Sequence, residues 1–329
     1  MEEFDAQDIK AYDVTSNIEN YFGSYVIAWT LNDKLLISIQ DTEQNQIVLL
    51  RIEEPAHQLL FSTDGRYLVC NTYKHTIVYS TQNWQVLHKD INSNKMRSFF
   101  SKDNKMLLSY VLPINQIFYF KVRDLDRRRI IAKVKVDSKL TMSISDIAIS
   151  PNNKEISIYV NYQEEFDDEI WFFSLEKWIR KDRNVWSDVH KVGLGSKVEY
   201  ELGSCYYKDD NTLMIALSYG KYQQSIIIQT LNRITNEVNR NYDYSDNIII
   251  DRPKFSYDGK YLYYLYNKDS YTIVIFNTSN WSIIEDAKIN TSNGVSATSN
   301  IIVDYNITSN NKYLLLYYQN RMEQVELTL

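Results

Sequence analysis

Cysteine, proline, glycine and histidine are all scarce in this chain of 329 residues, and each scarcity removes a class of explanation. Two cysteines, Cys70 and Cys205, cannot form a disulfide framework, and they fall in different repeats of the chain. Buried, reduced thiols in a cytoplasmic setting are expected instead. The four histidines, at 57, 75, 88 and 190, lack the spacing of a zinc site or a metal-dependent hydrolase. Neither a GxSxG nucleophile elbow nor a GxxxxGK[ST] phosphate loop occurs, so no cofactor and no small-molecule ligand is indicated. No apolar run reaches bilayer length, and the acidic first 24 residues carry neither a secretory signal nor an Arg-rich transit peptide, so no membrane insertion is expected. A net charge of −6, from 36 basic and 42 acidic residues, provides no basic field to attract nucleic acid.

What the chain does hold is β-forming residues, with 27 Tyr and 12 Phe among many Ile and Val. With only 8 Gly, turn positions pass to Asn, Asp, Ser and Lys, of which Asn and Asp tolerate left-handed backbone best among residues with a side chain. The most regular stretch runs from Pro253 to Ile289, four strand-forming runs separated by turns, with Asp258-Gly259 marking a hairpin. Its first turn, SYDGKYLY from Ser256, recurs six times: TLNDKLLI (Thr30), STDGRYLV (Ser62), SKDNKMLL (Ser101), SPNNKEIS (Ser150), YKDDNTLM (Tyr207) and TSNNKYLL (Thr308). The mean spacing of about 46 residues matches one four-stranded propeller blade of roughly 40–50 residues. Later strands recur too: Thr76–Ser80 with Trp84, Thr272–Asn277 with Trp281, and Ile170–Leu175 with Trp178, each Trp being read as packing over a blade edge.

The spacing predicts a single all-β domain over 1–329, a seven-bladed β-propeller of four-stranded antiparallel blades. Blades are placed at 23–55, 56–92, 93–137, 138–200, 201–245, 246–290 and 291–329, after a tail at 1–8. The last repeat ends after its third strand, and Ile9–Val14, within a segment 9–22, is expected to supply the fourth and close the ring. NQIVLLRI runs almost directly into the second repeat, so blade one is expected to have three strands.

The turns FSTDGRYL, ISPNNKEI and FSYDGKYL resemble those of the WD-repeat β-propeller family, over almost the whole chain. Third strands end in pairs such as Phe276-Asn277 and Phe120-Lys121 in place of Trp-Asp, and no Gly-His precedes a first strand. The resemblance implies a divergent propeller without that family's buried hydrogen-bonded tetrad, held by packing. It also implies a non-catalytic scaffold whose partners are other proteins, as a subunit of a larger assembly. The alternative is a propeller enzyme, a hydrolase or lyase working in the central channel.

Candidate recognition residues lie where blade four departs from the repeat. One departure is the loop with Glu164, Glu165, Phe166, Asp167, Asp168 and Glu169; the other is the segment carrying Arg180, Arg183 and Trp186. Both fall on the face opposite the first-to-second-strand turns, and either a partner site or a solvated acidic loop paired with a basic one fits. Aligning first strands places Arg97 beside Asp146 and Arg252 beside Asp304, read as ion pairs between neighbouring blades. RDLDRRR at Arg123–Arg129 is either a solvated turn or a site for an acidic partner.

Overall fold

A computed structural model describes residues 9–15, 26–31, 36–41, 47–92, 95–114, 117–137, 142–162, 169–179, 189–194, 202–219, 225–245, 249–250, 253–256, 258–267, 271–288, 302–307, 311, 313–318 and 322–327. Their strands pair into seven antiparallel sheets, each a meander in chain order. Sheet one is β1 (Ile9–Thr15), β2 (Val26–Leu31), β3 (Leu36–Asp41) and β4 (Ile47–Arg51). Sheet two is β5 (Ala56–Phe61), β6 (Tyr67–Thr72), β7 (His75–Ser80) and β8 (Val86–Ile91). Sheet three is β9 (Met96–Phe100), β10 (Met106–Ile114), β11 (Ile117–Asp124) and β12 (Arg129–Asp137). Sheet four is β13 (Met142–Ile149), β14 (Glu155–Tyr162), β15 (Glu169–Ser174) and β16 (His190–Gly193), with the short helix α1 (Leu175–Ile179) after β15. Sheet five is β17 (Leu202–Asp209), β18 (Thr212–Tyr219), β19 (Ser225–Asn232) and β20 (Val238–Ser245). In sheet six, β21 (Ile249–Ile250) and β22 (Lys254–Phe255) both pair with β23 (Tyr261–Asn267), followed by β24 (Tyr271–Asn277) and β25 (Ser282–Lys288). Pro253, between β21 and β22, has no N–H to continue that inner strand. Sheet seven is β26 (Ile302–Ile307), β27 (Tyr313–Tyr318) and β28 (Met322–Glu326).

The N-terminal strand does not close the last sheet. β1 pairs antiparallel with β2, and its backbone lies against β5, the inner strand of sheet two. Sheet one therefore has four strands, not three, and its hairpin TLNDKLLI joins the second strand to the third. A polar turn between apolar runs specifies a hairpin but not which pair of strands it joins. Deleting residues 1–15 is expected to strip the inner strand from sheet one and lower Tm by at least about 5 °C. Amide exchange should then quicken in Val26–Leu31 and Ala56–Phe61 and stay unchanged in β26–β28; quickening confined to β26–β28 would restore the closing-strand arrangement.

The core lies between the sheets. Six apolar clusters each join consecutive sheets, from Ile37 with Leu59 and Phe61 at the first junction to Tyr263, Leu265, Tyr305 and Leu316 at the last. Their residues alternate along each strand because side chains of a strand point to opposite faces, and both faces meet a neighbouring sheet. Trp84 and Trp281 take left-handed backbone, φ 56° and 58°, and each lays its half-buried indole on the junction with the preceding sheet. Trp178 lies deeper, 1 % exposed in α1, between sheets three and four. The fourth strands share one irregularity: Leu87, Ile131, Asn241 and Ile284 each sit at a break in register at the same point of β8, β12, β20 and β25. Such bulges increase local twist, which suits strands splayed at a rim.

Packing is not the whole of the cohesion. Asn71, fully buried, donates to Gln58 Oε1 (2.8 Å) and Ser98 Oγ (2.9 Å), while Thr76 Oγ1 donates to Asn71 Oδ1 (2.7 Å). Asn92 Nδ2 donates to Thr76 Oγ1 (2.9 Å), and Ser98 shares a hydrogen bond with Ser109 (2.7 Å). This wire of neutral side chains crosses sheet two and enters sheet three, so a buried hydrogen-bonded network exists where none was expected. Leaving any member unpaired costs the desolvation of a buried polar group, about 1–3 kcal/mol.

Candidate functional site

In sheets two, three, four and six the first-to-second-strand turn is built by one repeated device. In sheet two, Ser62 Oγ donates to Asp64 Oδ1 (2.7 Å) and accepts from Tyr67 N–H (2.9 Å), while Gly65 N–H donates to Ser62 O (2.9 Å). Ser101 with Asp103, Ser150 with Asn152, and Ser256 with Asp258 repeat it at 2.7, 2.9 and 2.8 Å. The fourth turn position has positive φ in five of the repeats: Gly65 70°, Asn104 56°, Asn153 58°, Gly259 69°, and Asn311 59°. These are the residue types that reach this conformation at least cost, which is why the turns were legible from Asn and Asp-Gly.

The same asparagines join one sheet to the next. Asn104 Nδ2 donates to Thr63 Oγ1 (2.7 Å), and Thr63 N–H donates to Asn104 Oδ1 (3.1 Å). Asn153 Nδ2 donates to Asp103 Oδ2 (2.7 Å), Asn152 N–H to Asp210 Oδ1 (2.9 Å), and Asn311 Nδ2 to Asp258 Oδ2 (3.0 Å). Between sheets five and six the ladder changes. Glycine stands at position 259, and the Tyr206 ring occupies the space an asparagine side chain would fill, 2.1 Å from where a Cβ would lie.

At that step a cavity of about 440 Å³ opens on the turn face, where the inner strands end. Ile147, Ala148 and Ile149 of β13 line it, with Cys205, Tyr206 and Tyr207 of β17 and Phe255 of β22. Phe100 contributes a further ring, and Thr63, Ser101, Lys102, Ser256 and Asp258 form the rim, so five consecutive sheets converge on it. Its size falls in the range of ligand-sized pockets, roughly 300–1,000 Å³. Tyr206 meets Phe255 at 5.8 Å between ring centroids, and the exposed Lys102 extends its ammonium 5.2 Å over the Tyr206 ring from two sheets away. Burial, with Asp258 adding to it, pushes the Tyr206 phenol up to about 12; burial and the Glu155 carboxylate also push Tyr207 up, so both phenols stay neutral at physiological pH.

Asp103 and Asp258 are held below the usual carboxylate range. Burial alone pushes each up, but hydrogen bonds from Ser101, Lys105 N–H and Asn153, and from Lys260 N–H, Ser256, Lys260 and Asn311, outweigh it. A carboxyl whose pKa is lower folded than unfolded stabilises the fold above its unfolded value, about 3.9. That contribution is lost as pH falls through the folded value. Thermal melts from pH 7 to pH 3 should therefore show a steep loss below about pH 4, shallower in Asp103→Asn/Asp258→Asn; equal slopes would remove the ladder carboxylates from acid stability.

Of the sequence-derived residues, Glu169 alone of the blade-four set is described. Its Oε2 accepts from Trp171 Nε1 (2.6 Å) and lies 3.4 Å from Lys191 Nζ, whose ammonium sits 4.1 Å over the Trp171 ring. Glu164, Glu165, Phe166, Asp167, Asp168, Arg180, Arg183 and Trp186 lie outside the described residues, as do Arg252 and the side chain of Asp304. Among the described residues Arg97 and Asp146 form no ion pair. Arg97 is exposed, and Asp146 Oδ2 turns to the next sheet, accepting from Ser204 Oγ (3.1 Å) and Cys205 N–H (2.9 Å). The two residues do hold equivalent positions four residues before their turns, but the Asp146 carboxylate is engaged by sheet five and not by sheet three.

Ion pairs between sheets do occur elsewhere. Glu155 of β14 receives Arg233 of sheet five through both carboxylate oxygens (2.8 and 2.6 Å) and the Tyr207 hydroxyl (2.8 Å), with the Arg233 guanidinium 3.6 Å over Phe172. Arg123, the first arginine of RDLDRRR, is buried and pairs with Asp90 of sheet two, and Leu125 is buried as well, so only Asp126 to Arg129 of that turn are exposed. Both cysteines are buried and neither forms a disulfide, and burial pushes the Cys70 thiol up to about 12. Sequence reasoning passed over the cavity because its walls come from five repeats; the available signal was glycine in place of asparagine at position 259.

No protein-family model and no curated protein sequence matches this chain. Among solved structures it is similar to a chain of a mitotic checkpoint complex, with TM-score 0.61 and 10% identity over 92% of this chain and 86% of that one. It is also similar to a chain of hydrazine synthase from Kuenenia stuttgartiensis, with TM-score 0.65 and 9% identity over 99% of this chain and 97% of that one. Both likenesses are of the all-β, propeller-type fold. No helix among the described residues is long and apolar enough to cross a membrane.

Proposed function

We propose that this chain is a seven-bladed propeller, a divergent relative of the WD-repeat propellers, that acts in the cytoplasm as a non-catalytic scaffold for protein contacts within a larger assembly. The observation that carries this reading is the aromatic cavity at the turn-face mouth, held by turns hydrogen-bonded to one another. A preorganised, ring-lined recess with a polar rim loses little entropy on receiving a partner side chain. The blade-four residues Glu164, Glu165, Phe166, Asp167, Asp168, Arg180, Arg183 and Trp186 offer a second contact region on the opposite face.

The fold does not choose between scaffold and enzyme, since one similar structure belongs to a checkpoint complex and the other to an enzyme. A hydrolase or lyase in the channel would need an activated nucleophile or base; the two cavity tyrosines are instead pushed away from ionising. Mass spectrometry of proteins co-purifying with the tagged wild type should identify partners whose recovery falls at least about tenfold with Tyr206→Ala. Recovery unchanged in Tyr206→Ala, and lost on charge reversal at Glu164, Glu165, Asp167 and Asp168, would move the site to blade four. Recovery indifferent to both would sink the scaffold reading at either face.

A further inference from the structure

The polar groups around the turn-face mouth divide sharply by type. Both carboxylate oxygens of Asp64, Asp103 and Asp258 are already engaged: Asp64 by Ser62 and Arg66, Asp103 by Ser101 and Asn153, Asp258 by Ser256, Lys260 and Asn311. Asp209 and Asp210 accept from Asn211 N–H and Asn152 N–H. The hydroxyls of Ser62, Ser101 and Ser256 donate to those aspartates and accept from Tyr67, Met106 and Tyr261 N–H. Both oxygens of Asp64, Asp103 and Asp258, and one oxygen each of Asp209 and Asp210, are thus engaged by the turns themselves.

Lys260 pairs with Asp258, but four other ammonium groups on these turns are not so engaged. Lys102, Lys105, Lys154 and Lys208 are exposed on the same turns, and among the described residues none of them forms an ion pair. Lys102 stands at the cavity, its ammonium resting only over the Tyr206 ring. A cation on an aromatic face retains most of its capacity to bond an anion, and the neighbouring recess is lined by the rings of Phe100, Tyr206 and Phe255 within a polar rim.

Resting on the scaffold reading above, we infer that the mouth receives an acidic peptide segment of a partner protein. An aromatic or large aliphatic side chain enters between Phe100, Tyr206 and Phe255, and a flanking carboxylate pairs with Lys102. The complementarity is specific in sign: a basic segment would meet ammonium groups and carboxylates whose oxygens are already bonded, while a peptide without charge would leave Lys102 unused.

The test is selection from a display library of random short peptides on the intact protein, followed by affinity measurement of the enriched sequences. Enrichment of Asp and Glu flanking an aromatic or large aliphatic residue is expected, with affinity falling about tenfold in Lys102→Glu and unchanged in Lys89→Glu on the outer strand of sheet two. Thermal melts of Lys102→Glu matching the wild type would show the loss to be local, as its exposed position predicts. Aromatic enrichment without acidic bias, or affinity indifferent to Lys102→Glu, overturns the inference and leaves the scaffold reading standing. Tighter binding of a single-stranded oligonucleotide than of any selected peptide overturns it in favour of a phosphate-bearing partner. No enrichment above an unrelated protein, with partner recovery indifferent to Tyr206→Ala, brings down the cavity reading as well.

Discussion

Replacing Trp178 by alanine is expected to destabilise the protein by about 3–5 kcal/mol, the range for removing a fully buried aromatic side chain. The indole is 1 % exposed and packs 5.3 Å from the rings of both Phe120 and Phe173, one on each side of the junction between sheets three and four. Its removal opens a void that two rigid sheets cannot collapse to fill. Trp178→Phe separates this packing from polarity. The Trp178 Nε1–H is buried with no hydrogen-bond partner, so phenylalanine keeps much of the ring while removing an unsatisfied donor. Denaturant midpoints should fall far less for Trp178→Phe, by about 1 kcal/mol or less. Equal losses in the two variants would mean that the ring does not carry the junction.

Gly259→Ala carries the second large effect, about 3 kcal/mol, from two sources that act together. Residue 259 has φ +69°, where any side chain is strained, and the new Cβ would fall 2.1 Å from Tyr206 Cε1. The ring must move, and it moves within the cavity. In a Tyr206→Ala background the clash disappears and only the backbone cost remains, so the double variant should be more stable than the sum of the single losses by about 1–2 kcal/mol. Additive losses would show that Tyr206 does not press on that turn. Gly203 makes a similar approach, its missing Cβ lying 2.1 Å from Tyr159 Cε1, but there the ring is fully buried and does not line the cavity.

Local chemistry made much of this fold readable. Asn104, Asn153 and Asn311 mark left-handed turn positions because few other residues adopt them cheaply, and Tyr, Ile and Val on either side mark strands that face two neighbours. The phase of the first repeat was not readable, because TLNDKLLI has the signature of any hairpin and β1 is fixed by pairing with β2 at a distance in sequence. Nor was the wire through Gln58, Asn71, Thr76 and Asn92: each is an ordinary polar residue in a strand until its neighbours are known. The Arg97–Asp146 expectation failed because equivalent positions do not fix which neighbour a side chain meets: Asp146 turns to Ser204 and Cys205 of the following sheet. The cavity depends on Lys102 reaching Tyr206 across an intervening sheet, a relation absent from either repeat taken alone.

The turn-to-turn ladder also bears on how such a chain can grow. The rungs join the equivalent turns of adjacent repeats, reaching back at Asn104–Thr63 and Asn153–Asp103 and forward at Asn152–Asp210. A tandem duplication of one whole repeat would therefore bring a complete joint with it and break none, whereas a partial duplication would leave a donor and an acceptor stranded at the scar. Gene-level change is thereby channelled into whole units, and a turn that exchanges its asparagine for glycine, as at position 259, gives up a rung without disturbing the rest of the series.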